Sequence, residues 1–462
     1  MNRRRSRSIL LVAAALASAP GAARAQAAPP SDAPAQAAPA PGAPAAPARR
    51  VLSLSEALRL ARAQQPQLLL ARSSTAAANA RADEARAPLL PQLTATARYQ
   101  RSKDNSASVA DVTTGVTTTT GRGPNLFSLG ASASQLLFDF GQTTGRWNAA
   151  KENAQAQHDS ERAAAAQVVL NARTTYFTAR AGKDLVDVAR ENLGNQEAHL
   201  RQIQGFVSAG TRPEIDLAQA RTNRANAEVQ LIQAQNTYET AKAQLNQAIG
   251  LDASTDYDVS DETLPPVESE DQPIEPLLAE ALRNRPDVVS ADEQIRAQAL
   301  TAGAVRGAYF PTLGVAATAT QSGNAIDSTT FNWTAGATLT WNLFQGGLTR
   351  AQEQEARANL ESAQAQSVAL RQQVRVDVEQ ARLAVRANKA ALGAAGEALA
   401  NAKEQLRLAE ARYQAGAGSV IELGDAQVAY TTAAAQRVQA QYNLASSRAQ
   451  LIRALGREVP DV

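Results

Sequence analysis

The chain has 462 residues, of which 44% are hydrophobic but only 4% aromatic, and it contains no cysteine. Disulfides, thiolate metal sites and an acylated N-terminal cysteine are therefore excluded, and a formal net charge of +2 gives no sign of a nucleic-acid binder. Alanine dominates the apolar set, and small side chains at helical spacing suit long, closely packed helices better than a bulky globular core.

Residues 1–25 combine the basic stretch Arg3-Arg4-Arg5-Ser6-Arg7, an apolar run from Ile9 to Ala17 and the small-residue motif Ala23-Arg24-Ala25. This order predicts a cleaved signal peptide and hence export. Its loss removes five arginines and takes the formal charge from +2 to −3. Residues 26–50, rich in Ala and Pro, read as a disordered tether with nothing to build a core. No later stretch approaches the ~18 consecutive apolar residues of a membrane helix, so a barrel is the remaining way to span lipid.

The rest of the chain is written twice. A first repeat over 51–250 is expected to hold a helix, strands at about 92–101 and 126–138, and long helices over 141–208 and 213–250. An acidic segment, 251–273, with Pro265-Pro266, reads as a solvated linker. A second repeat over 274–457 is expected to hold a helix, strands at about 312–321 and 331–344, and long helices over 347–414 and 419–456, before a tail at 458–462. At a shift of 206, Phe138 lies over Phe344, Gly141 over Gly347, Gly210 over Gly416, Leu217 over Leu423 and Gly250 over Gly456. Upstream the shift is 220, with Gln65-Pro66 over Arg285-Pro286, so the first copy carries the longer loop between its strands. A duplication whose length change is confined to one loop is a repeat architecture.

The strands alternate. Leu93, Ala95, Ala97 and Tyr99, then Phe127, Leu129, Ala131 and Ala133, recur at every second position, as do Leu313, Val315, Ala317 and Ala319, then Phe331, Trp333, Ala335, Ala337, Leu339 and Trp341. The positions between them are small or polar, the pattern of a membrane barrel that encloses water. In the helical stretches Val378, Val385, Leu392, Leu399, Leu406 and Tyr413 are spaced by seven, with Val186, Leu193, Leu200 and Val207 as first-copy counterparts. This is a coiled-coil seam. Four strands cannot close a barrel in lipid, so several chains must pool theirs.

The strand-to-helix junctions Leu137-Phe138-Asp139-Phe140-Gly141 and Leu343-Phe344-Gln345-Gly346-Gly347, and the turn Ala415-Gly416-Ala417-Gly418-Ser419-Val420-Ile421-Glu422-Leu423-Gly424-Asp425-Ala426, carry a resemblance. With the duplicated order around them, the chain resembles the TolC family of outer-membrane efflux proteins over roughly residues 51 to 457. The resemblance implies a mainly α protein with membrane β structure, a homotrimer that makes a twelve-stranded barrel in outer-membrane lipid and a periplasmic helical tunnel. It implies export of drugs or polypeptides from a Gram-negative cell with a periplasmic adaptor and an inner-membrane RND, ABC or MFS pump as partners, and no nucleic acid.

Glu422 and Asp425 are three apart on a predicted helix and share a face. In a ring of subunits they would form stacked carboxylate rings favouring cations, and the resemblance places the periplasmic entrance acids there. Ser419-Val420-Ile421-Glu422 is equally a capping box. By resemblance Tyr413 and Asp216 are the entrance lock, although Gly418 stands where a family arginine would be. Gly210, Thr211, Gly416 and Ser419 mark the hairpin tips, which by resemblance meet the adaptor. Tyr99, Trp333 and Trp341 are candidates for a membrane-interface belt. His158 and His199 have no partner at ligand spacing. No phosphate loop, dinucleotide fingerprint, H-E-x-x-H or G-x-S-x-G is present, so the chain is read as no enzyme, with no cofactor and no metal. A structural periplasmic coiled coil, or an adaptor without a pore, is the other reading of the same helices.

Overall fold

The computed structural model describes residues 50–101, 125–252 and 256–457. The expected signal peptide, most of the tether, the loop 102–124 and the tail 458–462 lie outside the described residues. In the first copy the elements are β1 (Arg50–Leu52), α1 (Leu54–Gln64), α2 (Pro66–Arg86), β2 (Gln92–Arg101), β3 (Asn125–Phe138), α3 (Gln142–Ser208) and α4 (Glu214–Ile249). After β4 (Tyr257–Val259) the order repeats as α5 (Ile274–Asn284), α6 (Pro286–Arg306), β5 (Thr312–Gly323), β6 (Thr329–Thr340), α7 (Leu348–Gln414) and α8 (Val420–Ala454).

Helices α3 and α7 have 67 residues each, which at 1.5 Å per residue is roughly 100 Å. The expected seam is their packed face: Val186, Val378, Val385, Leu406 and Tyr413 are buried, with Val374 and Ile203 filling gaps between them. Each long helix turns back into its partner, α3 into α4 and α7 into α8. Away from the hairpin tips, two apolar clusters lie along the helices. One gathers Leu52, Tyr176, Phe177, Leu245, Ile249 and Val259, the other Leu277, Val288, Val374, Val378, Val385 and Leu451.

Strands β2, β3, β5 and β6 form one antiparallel sheet in the order β2-β3-β5-β6. Its register sets apolar residues opposite apolar ones: Leu93 faces Ala133, Tyr99 faces Phe127, Leu313 faces Leu339 and Ala319 faces Trp333. The alternation therefore produces one continuous apolar face, and it is uncovered, with Leu93 at 80% and Trp333 at 71% exposure. Contact between β3 and β5 welds the two copies into one sheet.

Three expectations need correction. The expected tether reaches residue 50, but Arg50–Leu52 pairs in parallel with Tyr257–Val259. The acidic segment 251–273 is not simply solvated: Val259 and Val267 are buried within it, and buried Glu270 accepts two hydrogen bonds from Arg448 at 2.9 and 3.0 Å. Counting its acids obscured the apolar residues Tyr257, Val259, Leu264 and Val267, which pack on the helices. The last strand ends at Thr340 rather than near 344, because Thr312, its final ladder partner, follows Pro311, which cannot donate a hydrogen bond. Beyond it the Trp341 indole Nε1 donates to the Tyr309 carbonyl at 3.0 Å instead.

Candidate functional site at the hairpin tips

The two helical hairpins reverse through the same backbone turn. Gly210 and Gly416 have φ of 72° and 75°, the left-handed region where a side chain is strained. The Thr211 amide donates to the Phe206 carbonyl at 2.9 Å, and in the second copy the Ala417 amide donates to Arg412 at 3.0 Å. Gly210, Thr211, Gly416 and Ser419 are all exposed at these tips. The Thr211 hydroxyl closes its own turn by donating to Phe206 at 2.9 Å, and Ser419 Oγ accepts from the Glu422 amide at 3.1 Å. Gly418 admits no side chain as it stands, since a Cβ there would lie 2.9 Å from the Tyr413 nitrogen.

An arginine reaches this turn all the same, from the other copy. Arg212 holds its guanidinium 4.7 Å from the centre of the Tyr413 ring and donates to the Gly418 carbonyl at 3.5 Å. Tyr413 is buried among Ile203, Leu406 and Leu423, with Phe206 tilted against it at 6.4 Å. Its hydroxyl finds no hydrogen-bond partner among the described residues. Burial pushes this phenol up; Arg212 pulls it back, and Asp216 adds to the rise. Asp216 is thus close and itself buried, but no hydrogen bond joins the pair expected to act as a lock.

The two entrance acids differ in surroundings. Glu422 sits behind the Ser419 cap and pairs with Arg412 at 3.4 Å, both side chains partly exposed. It lines a groove of about 500 Å³ with Glu404 and Asn401. Asp425, one turn on, is exposed and opens onto a different cavity of about 620 Å³ between α4 and α8, with Asp216, Gln219 and Asn223 on its wall. Behind it Gln196 donates to Gln427 at 2.8 Å, joining α3 to α8, while the Gln427 amide nitrogen has no partner.

The three interface aromatics do not share one level. Tyr99 lies at the hairpin end of the sheet, where it donates to Asn125 at 3.2 Å, and Trp341 lies at the helical end. Trp333 stands four residues inside β6. Sequence reasoning missed a cluster at the helical end, where Phe140 stacks on Phe310 and meets Phe138 at a tilt, each at 4.8 Å; their two motifs are far apart in the chain, and only the fold brings them together. It also missed the partner of His199, Glu410 at 3.6 Å across from α3 to α7. Burial holds that imidazole below its usual range despite the carboxylate.

With this geometry in view, the chain matches the family model described as "Outer membrane efflux protein" over residues 57–251 and 277–457. It is 26% identical over 345 residues to the solvent efflux pump outer membrane protein SrpC of Pseudomonas putida, a stretch that covers 71% of each chain. It is also 26% identical over 395 residues to the pyoverdine export outer membrane protein OpmQ of Pseudomonas aeruginosa, covering 82% of this chain and 80% of that one. Its fold superposes on the CmeC outer membrane channel of Campylobacter jejuni with a TM-score of 0.76 at 21% identity, covering 87% of this chain and 85% of that one.

Proposed function

Because this chain belongs to the outer membrane efflux protein family, whose members are transport channels and not enzymes, we propose that three copies assemble into a conduit from the periplasm to the exterior. One observation carries the reading: a four-stranded sheet with an uncovered apolar face and unpartnered outer edges on β2 and β6 is joined to helices of 67 residues. In lipid each unpaired backbone group costs several kcal/mol, and pairing β6 of one copy with β2 of the next removes every edge. The same rotation sets six helical hairpins side by side as a tunnel. A coiled-coil protein or adaptor without a pore has no use for that sheet.

The tips are the periplasmic end and meet an adaptor fed by an inner-membrane pump of the RND, ABC or MFS kind. Ile215 and Ile421, at 73% and 70% exposure, supply apolar contact there. The names of the two relatives, one for solvent efflux and one for pyoverdine export, favour small organic molecules over polypeptides as cargo. Tyr413, Arg212 and Asp216 hold the entrance narrow, and Glu422 and Asp425 form its acidic rings.

Single-channel recording in planar bilayers tests this. The wild type should give small cation-selective steps. Asp425→Ala should weaken selectivity more than Glu422→Ala, because Arg412 already offsets part of the Glu422 charge. Membrane-inserted oligomers that never conduct would end the channel reading, and selectivity unchanged in the double variant would move the constriction elsewhere.

A further inference from the structure

A cavity of about 540 Å³ opens where the end of α1, the middle of α3, the α5–α6 junction and the end of α8 meet. Its wall carries Arg62, Arg162 and Arg173 from the first copy and Arg285, Arg453 and Arg457 from the second, with Asp287 as the one acid among the lining residues. Several of these cations are engaged. Arg285 donates to Asp287 and Asp377, Arg457 to Glu280 at 2.6 and 2.9 Å, and Arg162 to Asp159 at 3.1 Å.

Arg173 is different. Its side chain is only 3% exposed, and its Nε has no hydrogen-bond partner. Burial, with the like charge of Arg62 adding to it, lowers its pKa to about 10. Burying an unpaired guanidinium is costly, and such groups are normally matched by an anion.

The fold does not impose this cluster. At the shifts that relate the two copies, Arg62 lies over Leu282, Arg162 over Val368, Arg173 over Glu379, Arg285 over Gln65, Arg453 over Gln247 and Arg457 over Leu251. Not one of the six arginines has an arginine as its counterpart, although the backbone repeats around them. The close approach of the walls is itself built in: Gly456 has φ of 67°, and a Cβ there would lie 2.7 Å from the Arg285 nitrogen.

We propose that this cavity binds an oxyanion, which Arg173 and Arg453 grip from opposite copies, so that the bound group acts as an ionic staple between the two halves of the repeat. Guanidinium forks match phosphate and carboxylate oxygens in pairs. A free phosphate-type anion carries that chemistry.

Isothermal titration of the full-length, detergent-purified oligomer with inorganic phosphate and with pyrophosphate tests this. The set comprises the wild type, Arg173→Met and Arg453→Gln. Saturable uptake at one site per chain by the wild type, weakened at least ~10-fold in both arginine variants, supports the site with a free anion. No uptake by the wild type overturns the proposal, as does undiminished affinity in a correctly assembled arginine variant. Arg453→Gln keeps the test decisive if Arg173→Met fails to fold, since it perturbs the other wall.

Discussion

The two hairpin turns share a backbone and differ in chemistry. Position by position, Phe206 and Val207 in the first copy correspond to Arg412 and Tyr413 in the second, Arg212-Pro213 to Gly418-Ser419, and Asp216 to Glu422. The first turn ends at Pro213, which gives α4 no side-chain cap, while the second ends at Ser419, which caps α8. The first-copy acid is buried, and the second-copy acid is partly exposed and paired with Arg412. Duplication has kept the reversal, which depends on φ at one glycine and two backbone hydrogen bonds, and freed the side chains. One turn then supplies the arginine and the other the tyrosine that it covers.

The same divergence reaches the helices, and the largest expected effect lies there. Asp159 of α3 faces Glu293 of α6, both buried; the corresponding residues of the other copy are Ala365 and Ser73, so the acid pair exists only where the first copy's long helix meets the second copy's short one. Arg162 pairs with Asp159, and Arg296 pairs with Glu293 and Glu152. Burial, with Asp159 adding to it, raises Glu293 from 4.5 to about 7. The folded state therefore holds a proton that the unfolded chain releases near 4.5. The stability this confers is complete below that pH and is lost as pH rises through about 7. Thermal melts of the oligomer should show a loss on the order of 2 kcal/mol across that window. Glu293→Gln should flatten the profile. A profile equally steep in that variant would show that the pair is not the titrating element.

The sequence made the helices and strands legible because their signals are local. A spacing of seven or two is visible within one segment, and the register of 206 is visible by laying the copies side by side. What stayed hidden was chemistry between residues far apart in the chain. The pairing of Arg50–Leu52 with Tyr257–Val259 is one case. Arg212 over Tyr413 is another: the absence of an arginine at Gly418 was visible, but the arginine that covers the ring comes from the other turn. The motif singled out Glu422 and Asp425 as candidates, whereas the Arg412 pairing that distinguishes Glu422 from Asp425 was not visible in it.

A smaller effect separates the two caps. Ser419→Ala removes the oxygen that accepts from the Glu422 amide and should cost about 1 kcal/mol. Pro213→Ala, at the position one residue's equivalent in the other copy, removes no such bond and should change stability by only a few tenths of that. Hydrogen exchange at the first amides of α8 and α4 checks the difference; equal acceleration in both would mean that the turns are held by their backbones alone.

The smallest expected effect is the most discriminating for the proposed entrance. The Tyr413 hydroxyl is buried without a partner, and an unsatisfied buried polar group disfavours the state that holds it. Tyr413→Phe should therefore be neutral or stabilise by up to ~1 kcal/mol, keep Arg212 over the ring, and leave conductance as it is. Arg212→Ala uncovers the same ring and frees the Gly418 carbonyl, so it should cost about 1 kcal/mol and raise conductance. If Tyr413→Phe raised conductance as much as Arg212→Ala, the hydroxyl would be the latch and would have to find a partner in the assembled entrance, with Asp216 the nearest acid that already acts on it. A rise confined to Arg212→Ala would mean that the two turns hold each other through the face of the ring.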